Sequence, residues 1–142
     1  MGNKKSQGGF TLVEAMITIA ILTILVSLAV PSYFQYVLRT NRSEAIDGLL
    51  AASACQERLF IRNNVYDAAS CGGATANGHY AVALATTNAN QNFVATANPQ
   101  GGQTKDSCGA MTLSDTGVKT AGGKTGTFAI SCWKGKRPAG GS

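Results

Sequence analysis

The sequence has little charge, almost no histidine and no clustered cysteines, and each shortage removes a class of function. Charged residues make up 13% of the 142 positions. The one histidine, His79, stands beside Tyr80 at the head of a strand-like run, where a lone His reads as a surface or edge residue rather than a catalytic base. The four cysteines, Cys55, Cys71, Cys108 and Cys132, form no CxxC pair, so a zinc site is not expected. No spacing of Ser and Asp nominates a nucleophile with an orienting acid. The chain therefore reads as a non-enzyme, with no cofactor and no metal.

Two local patterns invite chemistry that their surroundings deny. Gly122-Gly123-Lys124-Thr125 looks like the end of a phosphate-binding loop, but that loop needs a glycine where Val118 stands, and Gly117 is one place too early. No apolar helix is expected after Thr125 to complete it. Asn41-Arg42-Ser43 fits a glycosylation triplet that chance supplies often.

What is present is uneven. The net charge of +5 comes largely from the two ends: Lys4 and Lys5 precede an apolar run, and Lys119, Lys124, Lys134, Lys136 and Arg137 follow the last acid, Asp115. Most of the apolar excess lies in the first forty positions, and Gly, Ala, Thr, Ser and Asn dominate beyond them. The later composition suits short strands and loops, and its Cys, Tyr and Phe argue against disorder. Two disulfides, on a chain with an export-like N-terminus, place the globular part in an oxidising compartment.

Two lysines before an apolar stretch mark a membrane-targeting segment whose basic end stays in the cytoplasm. A secretory signal cut after Ser27-Leu28-Ala29, releasing a chain that begins at Val30, is the simpler alternative. Glu14 opposes it, because an acid inside such a segment costs roughly 2.5 to 3.5 kcal/mol. From Phe10 to Leu38 Glu14 is the only charge. As a helix this run would span about 43 Å, more than the ~30 Å hydrocarbon core requires. A long helix is expected that stands in a membrane first and packs elsewhere later, with Glu14 in need of a partner.

Gly8-Gly9-Phe10-Thr11-Leu12-Val13-Glu14, followed by the apolar run and Pro31, resembles the processing site of type IV prepilins. The resemblance implies that a prepilin peptidase cuts after Gly9 and methylates the new N-terminus, Phe10, while the mature chain keeps its helix. It implies that Glu14 sets assembly register by neutralising the ammonium of Phe10 on a neighbouring subunit in a low-dielectric bundle. Thr23 departs from the family, many of whose members carry glycine there.

The expected organisation is a cleaved leader at residues 1–9, an apolar transmembrane and filament-core helix at 10–38, and an amphipathic continuation at 39–64. A globular part at 65–142 completes it. Pro31 should kink the helix or rearrange its preceding turn. Ile46, Leu49, Leu50, Ser53 and Phe60 recur at helical spacing, with Arg39, Arg42, Glu44, Asp47, Glu57, Arg58 and Arg62 mostly elsewhere, and Asn63-Asn64 is a plausible stop. Residues 65–77 form a connection. Strands are expected at Tyr80/Val82/Leu84, Phe93/Ala95, Met111/Leu113 and Phe128/Ile130/Cys132, with a turn at Ser114-Asp115-Thr116-Gly117 leading to a strand at Val118. The fold class is α+β: a long N-terminal helix on an antiparallel sheet of about four strands, which agrees with the pilin fold.

Four cysteines allow three pairings. Cys55–Cys71 and Cys108–Cys132 are favoured because each closes a local excursion, and the second is similar to the C-terminal disulfide loop of many pilins. The resemblance implies a structural subunit of a type IV pilus, serving motility, adhesion or DNA uptake. Its partners would be other pilin subunits, the prepilin peptidase and inner-membrane assembly machinery, and its location the inner membrane before an extracellular pilus. A secretion-system pseudopilin is the second reading, although no Asp-rich calcium loop is visible. The third is a minor pilin that receives DNA. For it, Trp133, Lys134, Lys136 and Arg137 set an aromatic beside three cations, combining base stacking with phosphate attraction. The alternative for that segment is a solvated tail.

Overall fold

The computed structural model describes residues 9–138. The expectations for Lys4, Lys5 and Gly8 lie outside that range. The chain divides into two compact units, the first ending at Phe34 and the second beginning at Gln35. Helix α1, Leu12–Asn63, supplies most of the first and the opening of the second.

The first unit is apolar helix with every residue from Leu12 to Phe34 exposed. Its start has a local cause. Thr11 accepts the amide of Glu14 on its hydroxyl at 3.2 Å, so Thr11 occupies the N-cap and Glu14 the third helical position of a Ser/Thr-x-x-Glu capping pattern. The other polar side chains of this stretch turn back on the helix. Thr18 donates to the carbonyls of Glu14 and Ala15, Thr23 to Ile19 and Ser27 to Ile24, all at 2.7–2.9 Å. A hydroxyl so paired adds no unsatisfied donor to an apolar surface. The helix continues through Pro31 without interruption.

In the second unit α1 buries Ala45, Leu49 and Ala52 at helical spacing, and Asn64, at φ 56°, ends it in the left-handed conformation asparagine tolerates. Of the expected stripe Leu49 is buried, Ile46, Ser53 and Phe60 are half-buried and Leu50 is exposed; the sheet comes close over the face of Arg42, Ala45, Leu49, Ala52 and Gln56. Gly48 explains the closeness. A Cβ there would stand 3.0 Å from Thr75 and Val82 side chains.

The sheet is a five-strand antiparallel meander in sequence order: β1 Gly73–Ala74, β2 Tyr80–Thr87, β3 Asn92–Pro99, β4 Met111–Ser114 and β5 Lys119–Ala121. A 3-10 turn, η1 Gly101–Lys105, links β3 to β4. Tyr80, Val82, Phe93, Ala95, Ala97, Met111, Leu113 and Ala121 point inward at alternate positions and meet α1 in one core. Tyr66 closes its far end, its ring between Phe60 and Phe93 at 4.7 and 4.8 Å.

Two expectations are overturned. Phe128, Ile130 and Cys132 lie not on a strand but on helix α2, Gly126–Trp133. The alternation was a coincidence of a short run: Ala129 and Cys132 are buried, three apart, while Ile130 is exposed. A helix therefore does follow Thr125, and the phosphate-loop reading fails on glycine spacing alone. The sheet instead gains β1, too short and glycine-rich to show in the sequence.

Cys55 is bonded to Cys71, tying α1 to the segment before β1, and Cys108 to Cys132, tying the approach to β4 to α2. The second bond is wholly buried. At loop lengths of this order each stabilises by roughly 3 kcal/mol. Buried Gln56 holds the first loop, donating to the carbonyls of Asp67 and Ser70 and accepting the Asp67 amide.

Candidate functional site

The N-terminal site is a short exposed segment and a helix start. A Cβ at Gly9 would meet nothing within 4 Å, and Phe10 is 84% exposed. Glu14 sits in the first turn, where the helix dipole also favours an acid. This local role adds to any intermolecular one, and the Thr11-x-x-Glu14 spacing was its signal. Pro31 lies within the same exposed helix.

Residues 134–138 are bonded and packed rather than a solvated tail. The amide of Gly135 bonds the Cys132 carbonyl and that of Lys136 the Ser131 carbonyl, and Pro138 is buried. Lys134, Lys136 and Arg137 are exposed. Trp133 is not free for base stacking in the manner expected. Its indole N–H donates to the Thr120 carbonyl at 3.1 Å, and Lys119 Nζ stands 4.8 Å over its ring. The ring braces α2 against β5, and one of its faces is occupied.

Arg42, placed by the sequence among charged residues lying mostly off the buried face, is 2% exposed. Its Nε and Nη2 donate to the two carboxylate oxygens of Asp106 at 2.7 and 2.5 Å, and its Nη1 to the Lys136 carbonyl at 2.7 Å. Buried Gln103 completes the cluster, donating to the Leu38 carbonyl, Tyr80 Oη and Asp106. Burial pushes the Tyr80 hydroxyl up to about 12, against the opposing hydrogen bond from Gln103, so it stays protonated. Charges this deep persist only when fully partnered, and no buried polar side-chain atom among the described residues lacks a partner. The partner of Arg42 is 64 positions away, which no local pattern reveals.

A second polar cluster pins the turn before β2 to α1. Glu44 accepts the amide of Asn77 at 2.9 Å and faces His79 Nδ1 at 2.6 Å. Burial would raise its pKa, but hydrogen bonds from Thr75, His79 and Asn77 outweigh that and hold it at about 2. His79 is therefore an anchor for the turn.

No group of three or more metal-ligating side chains occurs among the described residues. Among them α1 is the one helix long and apolar enough to cross a membrane.

An exposed apolar helix behind a Gly-Phe junction, joined to a disulfide-bonded antiparallel meander, fits the pilin fold expected from the sequence. Comparison with known proteins agrees. Residues 4–30 match the prokaryotic N-terminal methylation motif. Residues 31–112 match the family described as type IV minor pilin ComP, DNA uptake sequence receptor. Fimbrial protein EcpC of Eikenella corrodens is 38% identical over 66% of this chain and 63% of its own length. The chain thus spans less than two thirds of that relative. The type IV major fimbrial protein FimA of Dichelobacter nodosus is 34% identical over 79% of this chain and 73% of its own. A solved type IV pilin from Shewanella oneidensis, 26% identical, superposes with a TM-score of 0.50, covering 63% of this chain and 97% of that one. The chain belongs to the type IV pilin family, whose members are structural proteins.

Proposed function

We propose that this chain is a pilus subunit, cleaved between Gly9 and Phe10, methylated on Phe10 and assembled with other pilin subunits through its N-terminal helix. The observation that carries this reading is the exposed apolar helix of residues 12–34, capped beside the cleavage motif and interrupted by one charge, Glu14. Burying that surface in a bundle gains roughly 25 cal/mol per Å² where water is displaced. Where lipid is displaced, packing and the pairing of Glu14 must supply the gain. Before assembly the helix stands in the inner membrane, where the peptidase and assembly machinery meet it. Mass spectrometry of the mature N-terminal peptide tests the reading: a methylated Phe10 is expected, and a chain starting at Val30 overturns it.

A second reading, contact with DNA by the assembled subunit, is favoured by one observation. The C-terminal cations Lys134, Lys136 and Arg137 project from a backbone that is itself fixed. The family description of a DNA uptake receptor is compatible with it, although the matched residues end before the tail. The contact is electrostatic, and Trp133 serves it as a brace. Binding of duplex DNA by the full chain in neutral detergent should weaken steeply with salt; affinity indifferent to salt would refute this reading.

A further inference from the structure

Between α1 and the end of α2 lies a cleft of about 470 Å³, walled by Tyr36, Arg39 and Ile46 from the first helix and by Trp133, Lys134 and Gly135 from the second and the residues after it. Tyr36, Arg39 and Ile46 stand three and seven positions apart, on one stripe of α1. No acidic side chain lines the cleft. Arg39 is half-buried with its Nε on the Gln35 carbonyl at 3.0 Å, and Lys134 is exposed. Among the described residues neither is in an ion pair, the pairs being Arg42–Asp106 and His79–Glu44. The end of a helix opposes an anion, but the α2 carbonyls of Ile130, Ser131 and Cys132 are taken by the amides of Lys134, Lys136 and Gly135. The cleft thus sets two cations beside an apolar wall.

We propose that this cleft binds the headgroup of an anionic phospholipid from the outer leaflet of the inner membrane, with Arg39 and Lys134 on the phosphate and Tyr36, Ile46 and Trp133 against the glycerol and first methylenes. This rests on the reading above in which α1 stands in the membrane, basic end inward. Charge complementarity selects an anion, and the apolar wall selects one that carries hydrocarbon. Position along α1 selects a lipid: counted from Leu12 at ~1.5 Å per residue, the ~30 Å core uses about twenty residues, so Tyr36 falls about 6 Å and Arg39 about 10 Å beyond it, at headgroup level. Tyrosine and tryptophan favour that layer, and an arginine there reaches back with its stem on apolar surface. With Nε committed to Gln35, the two Nη groups of Arg39 remain for phosphate oxygens. Trp133 keeps its brace to Thr120 and offers the cleft another part of its ring.

Trp133 is the chain's one tryptophan, so its fluorescence reports on the cleft directly. The full chain in neutral detergent is titrated with phosphatidylglycerol, with zwitterionic phosphatidylcholine, and with glycerol phosphate, which has the anion but no hydrocarbon. A saturable change with phosphatidylglycerol is expected, a several-fold weaker one with phosphatidylcholine and none with glycerol phosphate. Arg39→Gln and Lys134→Gln should each weaken phosphatidylglycerol binding roughly fivefold, the effect of one cation beside an anionic lipid surface, and keep the wild-type melting temperature. Lys105→Gln, an exposed cation that does not line the cleft, should bind like wild type. A chain that stays in solution without detergent or vesicles refutes the membrane reading and this site with it. A chain that needs detergent but responds equally to both lipids, or whose Arg39→Gln and Lys134→Gln variants keep wild-type affinity, overturns the site alone. So does an equal loss in Lys105→Gln, which would show diffuse surface charge. An equal response to glycerol phosphate would make the ligand a soluble phosphate, and a change that follows protein concentration without lipid would make the occupant a second copy of the chain; either overturns the lipid assignment.

Discussion

In the proposed assembly Glu14 has two roles that substitution can separate. As the third residue of a helix capped by Thr11 it supports the helix start, and glutamine serves that position nearly as well as glutamate. As a charge in an apolar helix it needs a cationic partner, which glutamine cannot satisfy. Glu14→Gln should therefore keep the helical content of the detergent-bound chain, and Glu14→Ala should weaken the helix start. Both should insert into membranes at least as well as wild type and enter fibres less well in competition within one cell. Circular dichroism and the subunit ratio in sheared fibres measure the two effects. Normal incorporation of Glu14→Gln would confine the residue to capping.

At the scale of elements, the joint between α1 and the turn before β2 depends on the ionised Glu44. Its pKa is lowered from 4.5 to about 2 in the folded chain. The resulting stabilisation is complete above about pH 4.5 and is lost as pH falls through about 2. At 1.36 kcal/mol per pKa unit the effect is at most about 3 kcal/mol, and the carboxylate's 11% exposure reduces it somewhat. Glu44→Gln should melt below wild type at pH 6, with the gap closing by pH 2. A gap independent of pH would mean that packing, not charge, makes the joint. The same scale shows what the sequence hid. Strands β2, β3 and β4 were legible because their inward residues alternate over runs bounded by turns. Helix α2 was not, since Phe128 and Ile130 imitate a strand and the burial of Ala129 and Cys132 depends on a disulfide partner elsewhere.

For the whole molecule, the N-terminal methylation motif was legible in the sequence, because it is a linear stretch. The C-terminal surface was legible only in part. Its tail cations cluster in sequence, whereas buried Arg42 reaches the Lys136 carbonyl through a contact that only folding creates. The core belongs wholly to the second unit, from Ala45 to Cys132, while the first unit exposes its apolar side chains. A chain beginning at Gln35 should therefore melt cooperatively and stay soluble without detergent. Loss of a cooperative transition would show that residues before Gln35 contribute to folding the remainder.

The hydroxyls of Thr18, Thr23 and Ser27, each bonded to the helix's own carbonyls, bear on how such a segment travels. A helix whose polar groups are satisfied internally brings no hydrogen bonds that must be broken when its surroundings change from lipid tails to neighbouring side chains. Moving it out of the bilayer then resembles transferring a solute between two oils, with a small and nearly symmetric driving force. In the assembly proposed above, direction comes from Glu14, which is uncomfortable in the first oil and paired in the second. In the proposed assembly, extraction from the membrane is a nearly reversible step biased by a single carboxylate.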